Sequence, residues 1–147
     1  MNELQAAFLR VKLKRLDEWN SRRRAVAARY LSELHDAAEL KLPFVPDWAE
    51  PAWHHFAVRR ENRDEFQDSL ARAGVGTLIH YPIPPHLSGA YLNAGWKRGD
   101  FRVAEKVSDT ELSLPIGPHL RLETQEAIIR AVHEFVDRSR SMQLAAS

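Results

Sequence analysis

GVGTLIHYPIPPHLSGAY, from Gly74 to Tyr91, is the stretch on which the fold turns. Two glycines close a helix-like segment. A short apolar run, Thr77-Leu78-Ile79, then carries the chain to His80 and Tyr81. Pro82, Pro84 and Pro85 follow; each fixes φ and removes a backbone donor, so no ladder strand continues past Tyr81. The residue before each proline is held extended. The expected product is a strand that ends in a stiff loop presenting His80, Tyr81 and His86. Rigid loops at strand ends are common ligand contacts. The plainer reading of His80 is a histidine satisfied at a strand end, and that of Tyr81 is packing against the proline loop.

Upstream of this stretch, Trp53 to Arg60 alternates. His54, Phe56 and Val58 fall on one side, and Trp53, His55, Ala57 and Arg59 on the other. The pattern predicts a half-buried strand. A helix should follow, with Phe66, Leu70 and Ala73 on one face. Asn62 and Glu65 are spaced as a capping box, and Gly74 stands where a left-handed C-cap is wanted. Downstream, Tyr91 to Arg102 has turn glycines at 95 and 99, Val103 to Asp109 suits a short helix, and Leu112-Ser113-Leu114 suits a short strand stopped by Pro115. Ile128, Ile129, Val132, Phe135 and Val136 line one face of a helix from about Glu123 to Arg138. Strands separated by helical segments predict an α+β fold. Its sheet would be small, three-stranded and mostly antiparallel, with helices on one face.

The N-terminal segment, Asn2 to about Ala38, has no glycine or proline and reads as a long helix, with a kink expected near Asn20 and Ser21. Its first turns carry two apolar stripes. Leu4, Ala7, Phe8 and Val11 share one face; Ala6, Leu9, Leu13 and Leu16 share the nearly opposite one. A helix at the edge of a small domain needs one buried stripe, so residues 2–20 are expected to meet a second partner, another domain or another subunit. The alternative is a central helix wrapped by its own chain. The organisation is then a long helix over 1–40, an α+β small domain over 41–140 and a frayed tail over 141–147.

Composition narrows the function. A chain of 147 residues fits one domain. Its net charge of +1, with both signs interspersed, gives no electrostatic case for nucleic acid or an acidic membrane. The basic run around Arg22-Arg23-Arg24 is interrupted by acids and lacks stacking aromatics, so a solvated helix face is the better reading. There is no cysteine, which excludes disulfide scaffolds and thiolate metal sites. His54 and His55, as strand neighbours, should point to opposite faces, and no metal site is expected. No apolar run spans a bilayer and no signal-peptide layout is present, so a cytoplasmic protein is the default expectation.

Four stretches together resemble one known family: MNELQAAFLRVKLKRLDEWNSRRR (1–24), WHHFAVR (53–59), GTLIHYPIPPH (76–86) and LSLPIGPHL (112–120). Their content and order are similar to the C-terminal part of the DegT/DnrJ/StrS family of pyridoxal-phosphate-dependent sugar aminotransferases. The resemblance covers nearly the whole chain. It implies the small C-terminal domain of a fold-type I aminotransferase. The family moves an amino group, usually from glutamate, to a keto group on a nucleotide-linked sugar such as a dTDP-sugar, and works as a dimer. By position, His80 and Tyr81 would be substrate contacts, since imidazole and phenol both donate and accept hydrogen bonds to sugar hydroxyls. His86 is a further candidate, although Ser88-Gly89 stand where the family often has Gln-Pro. Arg102 likewise replaces a common proline.

The resemblance also implies what the 147 residues lack. The family's Schiff-base lysine lies in a Ser-Phe…Lys segment of the N-terminal domain, as do its phosphate and pyridine-nitrogen contacts. Lys12, Lys14, Lys41, Lys97 and Lys106 have none of those flanking residues. The expectation is a fragment without a catalytic or cofactor-binding residue of its own, inactive alone and binding no pyridoxal phosphate by itself. The alternative from another class is a stand-alone, non-catalytic interaction module docking through its first helix.

Overall fold

A computed structural model describes residues 2–145. In order the elements are α1 (Glu3–Leu13), α2 (Leu16–Glu33), β1 (Phe56–Arg59), α3 (Arg63–Arg72), two 3-10 turns (Pro85–Leu87 and Gly89–Ala94), α4 (Arg102–Thr110), β2 (Glu111–Leu114) and α5 (Leu122–Ala145). The α+β class stands.

The expected long N-terminal helix is two helices, broken at Lys14-Arg15 rather than near Asn20 and Ser21. Asn2 and Gln5 form a reciprocal capping box that starts α1. At the other end the Arg15 N–H turns back to the Lys12 carbonyl at 2.9 Å, a tight i→i−3 closure. Asp17 and Glu18 then open α2, where carboxylates favour a helix N-terminus. Asn20 and Ser21 lie within its intact ladder. Helix α2 ends at Glu33, short of Ala38; Ala37 and Leu40 close successive turns instead.

β1 and β2 pair antiparallel, with Phe56 opposite Leu114, Ala57 opposite Ser113, Val58 opposite Leu112 and Arg59 opposite Glu111. The sheet has two strands, not three. Thr77 to His80 contributes a single bridge, in which Leu78 and Ser113 exchange both backbone bonds. The ladder stops there because the next available N–H, that of His80, is taken by the Glu111 carboxylate at 2.8 Å. The prolines beyond it have no N–H to offer. On the other edge Lys41 bridges Arg59 in the same manner. β1 also starts later than the alternation suggested, because Trp53 turns the chain at φ 52°.

Phe56, Val58, Leu112 and Leu114 share the apolar face of the sheet. They join Val26, Ala27, Tyr30 and Leu34 from around α2, Phe66 and Leu70 from α3, and Ile128, Ile129, Val132, Phe135 and Val136 from α5 in one core. The rings of Phe66 and Phe135 meet at 5.1 Å, and Tyr30 stands edge-on to Phe56 at the same separation. β2 is buried throughout, Glu111 and Ser113 included. Its polar side chains therefore line a second interior face.

Smaller corrections have local causes. Asn62 makes no capping bond. Its backbone, at φ −90° and ψ 53°, is outside the extended region from which an N-cap side chain reaches the first turn. Ala73 is exposed beyond the end of α3. Gly74 does adopt φ 78° there, and the Val75 N–H reaches back to the Leu70 carbonyl at 2.9 Å. Helix α5 runs past Arg138 to Ala145. No glycine or proline interrupts it, and Arg138 ties it to Ser69 of α3 at 2.9 Å. Of the segment expected to fray, residues 141–145 are helical, and 146–147 lie outside the described residues.

Helix α1 buries none of its residues. Leu4, Phe8, Leu9, Val11 and Leu13 are all more than half exposed. Ala6, Leu9, Leu13, Leu16 and Trp19 line an open apolar groove of about 540 Å³ where α1 meets α2.

Candidate substrate site

The end of the Thr77–His80 segment, the approach to β1 and the polar side of β2 converge on one hollow. It is about 200 Å³, lined by His54, His55, Gly76, Leu78, His80, Ser113, Leu114, Pro115 and Ile116. The bridge between Leu78 and Ser113 fixes its floor. Trp53, at positive φ, turns His54 and His55 out of strand geometry. The expectation that these two point to opposite faces therefore fails: their ring centroids are 4.1 Å apart, and His55 and His80 are again 4.1 Å apart. Three imidazoles lie in a row along one wall, tilted to one another by 55° and 35°.

His80 is held at two atoms. Its backbone N–H donates to Glu111 Oε2 at 2.8 Å, and its Nδ1 lies 2.9 Å from Ser113 Oγ. The Ser113 hydroxyl in turn donates to Glu111 Oε1 at 2.6 Å. Glu111 and Ser113 are two apart on β2 and so share a face. Desolvation, and behind it the neighbouring imidazoles of His80 and His54, hold the His55 pKa below the ordinary histidine value. Those causes favour the neutral form of His55.

Tyr81 follows through a cis peptide bond and stands edge-on to His80, with centroids 6.1 Å apart. Its ring is 77% exposed rather than packed on the proline loop. His80 and Tyr81 are therefore adjacent and reachable from solvent. His86 is not with them. It is buried, with Nε2 at 3.0 Å from Glu105 Oε1, and its ring packs against Phe101. Glu105 also accepts from the N–H groups of Gly99, at 2.8 Å, and Phe101, at 3.2 Å. Burial opposes ionisation of Glu105, but those two N–H groups and His86 outweigh it and bring its pKa below the usual carboxylate range.

Glu111, Ser113, His54 and His55 belong to the site and were not singled out as site residues from the sequence. The signal for the first two was there: Glu111-x-Ser113 places polar groups at period two against the apolar Leu112 and Leu114. Glu111 donates no covalent clue that its partner lies 31 residues upstream.

Among the described residues no group of three or more His, Asp or Glu side chains is placed to hold a metal ion. No helix is long and apolar enough to cross a membrane. No lysine lines the hollow. Lys12 is on exposed α1 and Lys14 caps its end, Lys41 flanks the sheet edge, Lys97 lies in an exposed turn and Lys106 pairs with Glu61. The residues present here do not by themselves fit a pyridoxal phosphate, which needs an amine for its aldehyde carbon.

Comparison with known proteins bears on the family and the fold. The family model for DegT/DnrJ/EryC1/StrS aminotransferases matches residues 1–133. The chain is 53% identical over 129 residues to the erythromycin biosynthesis sensory transduction protein EryC1 of Saccharopolyspora erythraea, covering 88% of this chain and 35% of that protein. It is 45% identical over 138 residues to a dTDP-3-amino-3,4,6-trideoxy-alpha-D-glucose transaminase of Streptomyces venezuelae, covering 94% and 36%. Among solved structures, the S. venezuelae DesV complex with a ketimine intermediate superposes with a TM-score of 0.90 at 45% identity, over 92% of this chain and 37% of that one. An aminotransferase from Brucella abortus superposes at 0.83 and 32% identity, over 92% and 36%. The chain spans about a third of the length of these relatives. A match over residues 1–133, most of its length, makes the chain a member of the DegT/DnrJ/EryC1/StrS aminotransferase family.

Proposed function

We propose that these residues form the substrate-facing C-terminal part of a pyridoxal-phosphate-dependent aminotransferase that aminates a keto group on a nucleotide-linked, dTDP-type sugar, with glutamate as amino donor. The observation that carries the reading is the adjacent pair of half-buried His80, which lines the histidine hollow, and exposed Tyr81. Two groups that can each donate and accept hydrogen bonds suit a polyhydroxyl ligand. In this reading the cofactor and its lysine come from residues outside the 147, and the 147 alone do not transaminate. His86 is a weaker substrate contact, since its Nε2 is already engaged by Glu105.

The test is a fusion of residues 1–147 to the N-terminal two thirds of the S. venezuelae transaminase. Turnover of a dTDP-keto-sugar by the fusion, lost in H80A and Y81A, is expected. A fully active H80A/Y81A fusion would remove both residues from the site. For the chain alone, borohydride reduction with pyridoxal phosphate should give no stoichiometric adduct at a single lysine; such an adduct would contradict the proposed division of labour.

The exposed α1 supports a second reading, a non-catalytic module that docks through residues 2–20. The two differ in what covers α1. In the enzyme it is the N-terminal domain or a second subunit of the same protein; in the module it is a separate partner. Fusion turnover decides between them.

A further inference from the structure

The Glu111–Ser113–His80 chain has a direction, and the direction fixes what His80 shows to a ligand. Glu111 as a carboxylate only accepts. One of its oxygens takes the His80 backbone N–H, and the other takes the Ser113 hydroxyl proton. A serine hydroxyl has one proton. Once that proton is given to Glu111, Ser113 Oγ can only accept from its other neighbour, His80 Nδ1 at 2.9 Å. Nδ1 must then carry the hydrogen. Among the described residues no hydrogen bond engages Nε2, and the ring lines the hollow.

We propose that Glu111 and Ser113 are positioning residues that lock neutral His80 in the Nδ1–H tautomer, so that Nε2 meets the ligand as an acceptor. The inference rests on the proposed substrate role of His80. It adds a specificity: His80 receives a hydrogen bond from a sugar hydroxyl or amine and does not donate one to a keto oxygen. Glu111 thus sets the polarity of a contact it does not touch.

The chemistry makes a sharp test possible. In E111Q the His80 backbone N–H remains a donor, so the new amide must turn its oxygen toward it. The amide NH2 then faces Ser113 Oγ and donates. The Ser113 hydroxyl is released to donate to Nδ1, and His80 flips to the Nε2–H tautomer. S113A removes the acceptor from Nδ1, and S113T restores it.

The measurement is long-range 1H–15N correlation of the histidine rings in the 15N-labelled chain, at a pH where His80 is neutral. Wild type and S113T are expected to show a protonated Nδ1 and a bare Nε2, with E111Q reversed and S113A shifted toward Nε2–H. Backbone amide spectra verify that each variant is folded; if S113A is not, E111Q carries the test, because it keeps the side-chain shape. A wild-type Nε2–H tautomer, or an unchanged Nδ1–H tautomer in folded E111Q, would overturn the proposal. Failure of the substrate reading looks different: the tautomers behave as stated, but dTDP-glucose added to the wild-type fusion leaves the His80 ring signals unmoved.

Discussion

The imidazole of His86 and the carboxylate of Glu105 meet at 3.0 Å, both buried, and the same carboxylate gathers the N–H groups of Gly99 and Phe101. One side chain from the first turn of α4 thereby ties the proline loop to the turn that precedes the helix. Removing it leaves the part-buried N–H groups of Gly99 and Phe101 and the buried Nε2 of His86 without their acceptor. E105A should lower the melting temperature by roughly 5 °C or more, while E105Q, which still accepts at one oxygen, should lose less. Equal losses in the two variants would mean that hydrogen bonding is not what Glu105 contributes. Thermal unfolding followed by circular dichroism separates the cases.

Acid should release the same latch. The pKa of Glu105 is depressed in the folded protein. Its contribution is therefore complete above the ordinary carboxylate value of about 4.3 and is lost as pH falls through the lower, folded value. Amide exchange at Gly99 and Phe101 should accelerate below about pH 4 relative to the β1 and β2 amides. Exchange that is already fast at pH 5 would put the folded pKa above the ordinary value and contradict the assignment.

Tyr30 is a fully buried phenol whose hydroxyl donates to the Pro115 carbonyl at 3.0 Å. Burial pushes its ionisation far up, beyond the pH range in which the protein would be handled. Y30F keeps the ring against Phe56 and should cost about 1 kcal/mol, the ordinary net value of one hydrogen bond. F66A, which empties the space beside Phe135, should cost about 3–5 kcal/mol, a large share of a small domain's total. Chemical denaturation measures both. Reversal of the ranking would mean that the α3–α5 contact matters less than the Pro115 tether.

Leu9 and Leu13 line the apolar groove on α1 without packing on the rest of the chain. L9E/L13E should change folding stability by no more than about 0.5 kcal/mol, as surface substitutions do. The same pair should reduce self-association in sedimentation experiments if a second copy covers the groove. Destabilisation beyond about 1 kcal/mol would show instead that α1 folds back on its own chain.

The elements most legible in the sequence were those set by neighbours. Phe66 and Leu70 one turn apart, Gly74 at the helix end and Leu112-Ser113-Leu114 before a proline each declare a local geometry, and each is found. What could not be read depends on distant partners. His54 and His55 look like strand neighbours until Trp53 takes a left-handed backbone. Thr77 to His80 looks like a third strand because nothing local announces that Glu111 will claim the His80 N–H. His86 looks like a loop histidine until Glu105, nineteen positions on, is folded beneath it. In the N-terminal segment the apolar stripes were visible, but the break at Lys14-Arg15 has no glycine or proline to mark it. Of the candidate site, His80 and Tyr81 came through recognisable motif residues, whereas their supports came through tertiary contacts.

Strand β2 occupies four residues and is buried throughout: Leu112 and Leu114 join the core, with Leu114 also bordering the hollow, while Ser113 lines the hollow and Glu111 shares its face. Parity sets the apolar pair and the polar pair on opposite faces. Substitutions at 111 and 113 can therefore explore new ligand preferences without altering core volume. A single inserted or deleted codon that shifted the strand by one position would exchange the two sets, placing a polar side chain against Phe56 and a leucine where Ser113 meets His80. Variation along this strand is accordingly open to point mutation and closed to length change.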